Sequence, residues 1–567
     1  MLAELQARGL LEVLDVELAK ALGRIVEPSS PEVELAIALT SRNVRRGHSC
    51  FPMDTSADEI WPREGGQTTE LPDVARWKDQ VAASSLSDEG PIVLDQSGRL
   101  YLRRYWQLER DIARELALRS STPPRTAGDA PWLEALLERL FPGAADSPQR
   151  RAAQNALQHS VSLLCGGPGT GKTTTVAAIV ALIIEGRLQQ GDRVPRVLLL
   201  APTGKSAARL GEAVRQAKSR IETSTEVLAA IPEQATTLQR ALGMQREGAR
   251  FLRSADRPLE ADVIVVDEAS MVDLGLMRQL LNATRQDASL LIVGDPDQLT
   301  SVEAGSVLRD LVTASAQTAW KGRVTQLTKT FRYDEKQTLG RFIAAIRKGD
   351  AETVQRLLDV SDATDLAWVS SAGLDAELDR AAFHWSTVLG TTDREQHFDL
   401  RARYVMLSPF RRGVVGTRRL GAAVVDRLYQ TQGREPAVRP IIIEENSYEL
   451  KVYNGDFAML VEGEPSIATV QSESEGFRDI AEARLPRYSD AFALSVHKAQ
   501  GSEFDEVLFV LPEDDASMLS RELVYTAVSR ARRAARLVGP KEVLLAALGR
   551  RARRYSGLVD AMAEAID

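Results

Sequence analysis

From Ser147 onward, short apolar runs alternate with stretches of helical periodicity. Val161–Cys165 (VSLLC), Arg196–Ala201 (RVLLLA), Val263–Asp267 (VIVVD) and Leu290–Gly294 (LLIVG) are almost continuously apolar instead of alternating. Strands of that kind are buried on both faces, as in a parallel sheet covered by crossover helices. A second set follows at Tyr404–Ser408 (YVMLS), Ala491–Val496 (AFALSV) and Glu506–Leu511 (EVLFVL). Residues 436–488, inside that set, are rich in β-formers and turn signals and predict a small β module. The pattern predicts an α/β chain with two tandem units, residues 147–335 and 336–567.

The first 120 residues read differently. Leu2–Ile25 and Val33–Leu39 carry apolar residues at helical spacing. Pro91–Tyr105 reads as two short strands turning at Gln96-Ser97-Gly98. Ser120–Pro131 (SSTPPRTAGDAP) has the Pro-Pro pair and Gly of a linker. The prediction is a mostly helical N-terminal domain, residues 1–120, then a linker and helix over 121–146. Gly243–Pro258 carries strand–turn signals and predicts a hairpin within the first α/β unit.

Composition narrows the picture. The 567 residues predict about three or four domains, and 44% hydrophobic with 26% charged residues is ordinary globular usage. The net charge of −8 excludes a uniformly basic nucleic-acid coat but not a local basic groove. Phe51–Leu100 is predominantly acidic, and with Gly65-Gly66 and Pro72 it reads as an irregular surface segment; Arg521–Arg554 is strongly basic. Two cysteines, Cys50 and Cys165, exclude a disulfide framework, a four-cysteine cluster and a cysteine-rich zinc module. The apolar run Val176–Ile184 is far shorter than the ~18 residues of a membrane span. The start of the chain lacks a signal-peptide pattern. A cytoplasmic protein is expected, with no membrane partner.

Gly166-Gly167-Pro168-Gly169-Thr170-Gly171-Lys172-Thr173 fits GxxxxGK[ST] between a strand and a helix. Glycines let the backbone turn its N–H groups toward phosphates, and the helix N-terminus adds positive potential. Lys172 is expected at the β- and γ-phosphates of ATP and Thr173 on Mg²⁺, with Thr174 beside them. Asp267-Glu268 ends the strand VIVVD. Asp267 suits a magnesium partner and Glu268 the base for an attacking water; by itself the pair also reads as a helix cap. Gln298, in Gly294–Leu299 (GDPDQL), sits where it could bond the γ-phosphate or the water, in a segment that is also a type I turn.

The order of further segments carries a resemblance. GGPGTGKT, APTGKSAARL (201–210), TLQRALG (237–243), VVDEASMVD (265–273), GDPDQL, LTKTFRY (327–333), VYNGDFAML (452–460), LSVHKAQGSEFDEV (494–507) and LVYTAVSRAR (523–532) resemble superfamily 1 helicases. More narrowly they resemble the RecD family, the alpha subunits of exodeoxyribonuclease V (the RecBCD complex). Segments 34–53 and 98–113 are similar to that family's amino-terminal domain. Ser495 stands where the family usually has Thr.

The resemblance implies two RecA-like P-loop NTPase domains and an ATP-driven 5′→3′ DNA helicase. It implies that Gln149 reads adenine, that Arg332 and Arg530 are arginine fingers, and that Gly501 and Glu503 approach the nucleotide, Glu503 at the ribose. DNA contacts are implied for Thr203, Lys205, Arg411, Ser495 and His497, although Lys205 and Arg411 also read as solvated surface charges. The hairpin at 243–258 would be a strand-separating pin. Implied partners are single-stranded DNA at duplex ends and RecB-like and RecC-like subunits in a heterotrimer, with the nuclease centre on a partner chain. A self-sufficient RecD-like helicase is the alternative. Intact Lys172, Asp267, Glu268 and Arg530 argue against a non-catalytic subunit, and the second α/β unit argues against a small-molecule kinase.

Overall fold

The computed structural model describes residues 1–566 except 26–29, 61–70, 85–89, 122–130, 144–145, 246–249, 334–336, 360–362, 392, 434, 448 and 473–475. Gly65-Gly66, nearly all of the expected linker at 120–131 and the tip of the 243–258 hairpin lie outside the described residues.

The N-terminal unit packs the helices Leu2–Ala7, Val13–Gly23 and Pro31–Arg45 with a small antiparallel sheet. The sheet consists of β1 (Phe51–Pro52), β2 (Ile92–Leu94) and β3 (Arg99–Leu102) in the order β1-β3-β2. The single helical stretch expected over Leu2–Ile25 is two helices, because Gly9 turns the chain at φ +72°. Trp77, on the helix Val74–Ala83, is fully buried in this core and donates its indole N–H to Glu32 O at 2.7 Å.

The first α/β domain has a six-stranded parallel sheet. Its strands are β4 (Val161–Gly166), β5 (Val197–Ala201), β6 (Ala235–Thr237), β7 (Val263–Val266), β8 (Ser289–Gly294) and β9 (Val324–Leu327), in the order β6-β5-β7-β8-β4-β9. Every residue of β4, β7 and β8 is buried, as continuous apolar runs require. The helix Lys172–Gln189 is buried on nearly all sides against one face of the sheet.

The other face is covered by a helix from each end of the chain. Arg103–Ser120 contributes Ile112, Ala113 and Leu116, and Leu558–Ile566 contributes Leu558, Ala561 and Met562, to one core with β4, β7 and β8. This revises the expected boundaries: residues 103–120 and 558–566 pack as parts of the first α/β domain, not of the N-terminal and second units. Arg119 is fully buried, ion-paired with Glu115 and bonded to the carbonyls of Leu281, Thr284 and Arg285.

The second α/β domain holds β10 (Leu366–Val369), β11 (Tyr404–Ser408), β17 (Leu494–Ser495), β18 (Phe504–Val510) and β19 (Ala531–Val538), parallel, in the order β10-β19-β18-β11-β17. The apolar run Ala491–Val496 yields only the two-residue edge strand β17. Between β11 and β17 lies an antiparallel sheet with its own core: β12 (Val438–Ile443), β13 (Phe457–Val461), β14 (Ile467–Ser472), β15 (Gly476–Ala481) and β16 (Tyr488–Asp490). In the first domain, Met244 and Phe251 form an antiparallel bridge at the base of the 243–258 segment. Among the described residues no helix is long and apolar enough to cross a membrane, and Cys50 and Cys165 are free and buried.

Candidate nucleotide cleft and strand-binding face

The loop between β4 and the helix Lys172–Gln189 curls as its glycines permit. Gly169 and Gly171 have φ of +73° and +80°. A Cβ at Gly169 would lie 2.3 Å from Arg332 Cβ, so the chain carrying Arg332 presses directly on the loop. Thr170 Oγ1 donates to Gly167 O at 2.8 Å. Lys172 Nζ donates to Gly166 O and Gly167 O at 2.7 and 3.0 Å, the loop's own carbonyls. Thr173 is half-buried and Thr174 exposed in the first turn of the helix. Gln149 is half-buried in the first turn of the helix Pro148–Gln158, which leads into β4.

Asp267 and Glu268 follow β7. Asp267 Oδ1 accepts from Glu268 N at 2.9 Å. Burial, and secondarily the neighbouring Glu268, push the Asp267 carboxyl up to about 6, against the pull of Lys172. Glu268 has φ +51°, a left-handed conformation that costs a non-glycine residue energy and clusters at functional sites. Gln298, after β8, is buried and donates to Asp295 Oδ2 at 3.1 Å. The same oxygen accepts from Tyr525 Oη of the second domain at 2.9 Å.

The second domain closes the cleft with the helix Arg521–Val528 and the turn after it. Thr526 Oγ1 accepts from Leu299 N at 3.0 Å, and Gln500 Nε2 donates to Leu299 O at 3.1 Å. Arg530, expected as a finger, is buried and bonds Thr526 O and Ser502 O at 3.2 and 3.3 Å, so its guanidinium is held inside its own domain. Arg332 bonds Ser529 O at 3.4 Å and pairs with Glu503. Glu503 does not stand free for a ribose: it also pairs with Arg209, and accepts from Arg532 Nε at 3.3 Å. Gly501, at φ +70°, lies so close to the first domain that a Cβ would meet Ser206 Oγ at 2.6 Å.

Sequence reasoning missed four residues here. Arg209 and Tyr525 lay inside quoted segments, but nothing in their spacing says that they reach the opposite domain. Asp295 reads as a turn residue. Phe331 is 65% exposed, its N–H bonds Gly169 O at 2.7 Å, and its ring lies about 3.6 Å from where a Gly171 Cβ would stand. Its place in the quoted segment LTKTFRY, directly before Arg332, is the one signal in the sequence that could have marked it.

The expected strand contacts divide. Thr203 caps the helix Gly204–Lys218, its Oγ1 accepting from Ser206 N at 3.1 Å. Lys205, in the first turn, is half-buried, and burial, with Arg401 and Arg209 nearby, pushes its ammonium well down. A Cβ on its neighbour Gly204 would lie 3.2 Å from the Tyr453 ring of the β module. Ser495 is buried on β17, and its Oγ accepts from Lys498 N at 3.4 Å. His497 is exposed. Arg411 pairs with Glu444 at 2.5 Å, which also takes Lys498 at 2.6 Å and Arg487 at 3.1 Å. Beside them a cleft of about 430 Å³ is lined by Phe410, Arg411, Arg412, Arg418 and Arg487. One aromatic ring among four arginines suits stacked bases and phosphates.

Residues 149–304 match the AAA domain family, residues 490–538 the UvrD-like helicase C-terminal domain, and residues 7–101 the N-terminal domain of RecBCD enzyme subunit RecD. The chain is 38% identical to the RecBCD enzyme subunit RecD of Mycobacterium tuberculosis (strain CDC 1551 / Oshkosh), over 97% of this chain and 94% of that protein. It is 36% identical to the RecD subunit of Mycolicibacterium smegmatis, over 97% of each chain. It is 29% identical to the ATP-dependent RecD2 DNA helicase of Deinococcus radiodurans, over 90% of this chain and 65% of that one. Among solved structures, Pif1 helicase from Bacteroides in complex with ADP-AlF3 and ssDNA aligns at 15% identity over 71% of this chain and 94% of its own, with TM-score 0.40.

Proposed function

The chain belongs to the RecD subunit family of RecBCD enzymes and is an ATP-dependent DNA helicase, and from that premise we propose how its cleft converts hydrolysis into movement along a DNA strand. The phosphates of ATP displace the loop carbonyls from Lys172 and bind the loop amides. Water attacks the γ-phosphorus in line, the bond to the ADP oxygen breaks, and Glu268 takes the water's proton. Gln149 reads the adenine edge, and Phe331 offers its exposed face to the base.

Magnesium fits the residues present. Asp267 has a buried carboxyl held up near 6 by burial, and forms no ion pair among the described residues. Magnesium takes one or two carboxylates and completes its shell with phosphates and water, so no larger acidic cluster is required; among the described residues there is none. Asp267 and Thr173 would hold the ion, which would neutralise phosphate charge.

The observation that carries the reading is the divided ion cluster. Arg332 and Arg209 come from the first domain, Glu503 and Arg532 from the second, and Arg332 stands against the phosphate loop. A γ-phosphate arriving there competes with Glu503 for the arginines and changes how the domains are held together. Single-stranded DNA, gripped at the helix start Thr203–Lys205 and in the Phe410 cleft, is then stepped 5′→3′. In the cell we place the chain in the cytoplasm, acting at duplex ends with RecB-like and RecC-like partners in break repair, docked through its N-terminal unit. The nuclease centre lies on a partner.

The test is ATPase activity of the full-length chain with and without single-stranded DNA across a salt series. Stimulation that fades as salt rises is expected, because phosphate contacts release counterions. Equal rates with and without DNA, alone and with partners, would reject a DNA-coupled motor.

A further inference from the structure

The helix Gly204–Lys218 carries a residue that neither the phosphate loop nor the arginine-finger pattern includes. Arg209 lies one turn beyond Lys205, on the same helical face. Its guanidinium crosses to the second domain and pairs with Glu503, on the carboxylate oxygen that also receives Arg332. Arg332 in turn stands against Gly169 of the phosphate loop. Arg209 therefore ends within one shared carboxylate of the group expected at the γ-phosphate. Burial lowers Arg209 to about 10, while Glu268 and Asp267 draw it up and Arg530 and Arg332 oppose them. Those four neighbours are the groups assigned to the reacting phosphate.

The charge at this point is unbalanced. Arg209, Arg332 and Arg532 share one carboxylate, Glu503, whose side chain is 8% exposed. With Arg530, Glu268 and Asp267 counted as well, four cations face three anions, and guanidinium bonds phosphate oxygens in the same forked geometry as carboxylate. Arg532 and Arg209 are 51% and 39% exposed, and of the two Arg209 has Glu268 and Asp267 among the charges that act on it.

We propose that Arg209 is a further phosphate-sensing residue of the ATPase cycle: paired with Glu503 in the nucleotide-free cleft, it transfers to the terminal phosphate of the bound triphosphate. The proposal rests on the reading of the cleft as the ATP site. It also gives that site a direct connection to the strand. The same helix is capped by Thr203 and carries Lys205 in its first turn, about 6 Å from Arg209 along the axis at 1.5 Å per residue. A strand held at the first turn and a phosphate held one turn later act on one rigid element.

The experiment compares ADP with ADP plus aluminium fluoride, a mimic of the transferring phosphoryl group, binding to the full-length chain with single-stranded DNA. In the unaltered chain aluminium fluoride tightens ADP. In Arg209→Gln, ADP affinity stays within about twofold while at least tenfold of the tightening is lost, and DNA-stimulated turnover falls about 100-fold. Arg209→Lys, which keeps the charge and the fold but not the fork, recovers part of the tightening. A purely structural role would weaken ADP and its fluoride complex alike. Tightening in both variants equal to that of the unaltered chain overturns the proposal. An unaltered chain that binds neither form removes the ATP-site reading and this proposal with it.

Discussion

Tyr525 of the second domain donates its hydroxyl to Asp295 of the first at 2.9 Å, and both side chains are buried. The bond ties the helix leading to Arg530 to the strand end beside the phosphate loop. Burial raises the Asp295 carboxyl above its ordinary range, and burial with Asp295 nearby raises the Tyr525 phenol. Tyr525→Phe removes one hydrogen bond to a charged, buried acceptor, about 2 kcal/mol. A several-fold loss of DNA-stimulated turnover is expected, with ADP binding retained. A Cβ at Gly167 would stand 2.8 Å from Tyr525 Oη. Gly167→Ala is therefore expected to impair turnover, and less severely when the chain also carries Tyr525→Phe. Additive losses in the double variant would mean that the two positions do not meet during the cycle.

Lys172→Gln removes an ammonium whose hydrogen bonds, among the described residues, go to loop carbonyls, so melting temperature is expected to change little while hydrolysis is abolished. Glu268→Gln is expected to bind ATP and lose at least about 100-fold in turnover. Normal turnover by Glu268→Gln would rule out its role as the base.

Arg119→Ala takes a donor from the carbonyls of Leu281, Thr284 and Arg285; Leu281 O and Arg285 O keep the amides of Thr284 and Ala288, and Thr284 O loses its partner. Loss of about 3 kcal/mol is expected, seen as a drop of several degrees in thermal unfolding. A drop below one degree would contradict this account of how the helix Arg103–Ser120 is anchored.

The same anchoring decides where the N-terminal unit can be cut. A chain lacking residues 1–102 is expected to keep DNA-stimulated ATPase and to lose co-purification with RecB-like and RecC-like proteins. A chain lacking residues 1–120 also loses Ile112, Ala113, Leu116 and Arg119 from the first α/β domain and is expected to be insoluble. Full recovery of both partners by the shorter deletion would place the docking surface elsewhere. If even the intact chain recovers neither partner, the self-sufficient helicase is the better reading.

Glu109 joins three parts of the chain. It is buried and accepts from Ser49 Oγ at 2.6 Å, Ser556 Oγ at 2.8 Å and Gly557 N at 3.0 Å. Burial outweighs these donors and raises its carboxyl from the ordinary 4.5 to about 7. Between those values the folded chain holds a proton that the unfolded chain has released. Stability from this group therefore declines as pH rises from about 4.5 to about 7, by at most about 3 kcal/mol, and is level above. Glu109→Gln cannot titrate. The melting temperature of the natural chain relative to this variant is expected to fall between pH 5.5 and pH 8; a constant difference would show that Glu109 titrates normally.

The phosphate loop, the acidic pair after β7 and the parallel strands were legible because each is a local pattern. Continuous apolar runs encode burial on both faces, and a run of glycines before Lys172 encodes a backbone that turns its amides inward. Only the tertiary structure decided that Arg103–Ser120 and Leu558–Ile566 cover the same sheet, since an apolar stripe states that a face is buried, not against what. It likewise decided that Ser495 is buried, that Gly204 beside Lys205 lies against the Tyr453 ring, and that Arg209 and Glu503 meet across 294 positions of chain. A charge in the sequence carries no record of its partner. Pairing depends on separation in space and on how far water is excluded, and both are set only when the two domains come together.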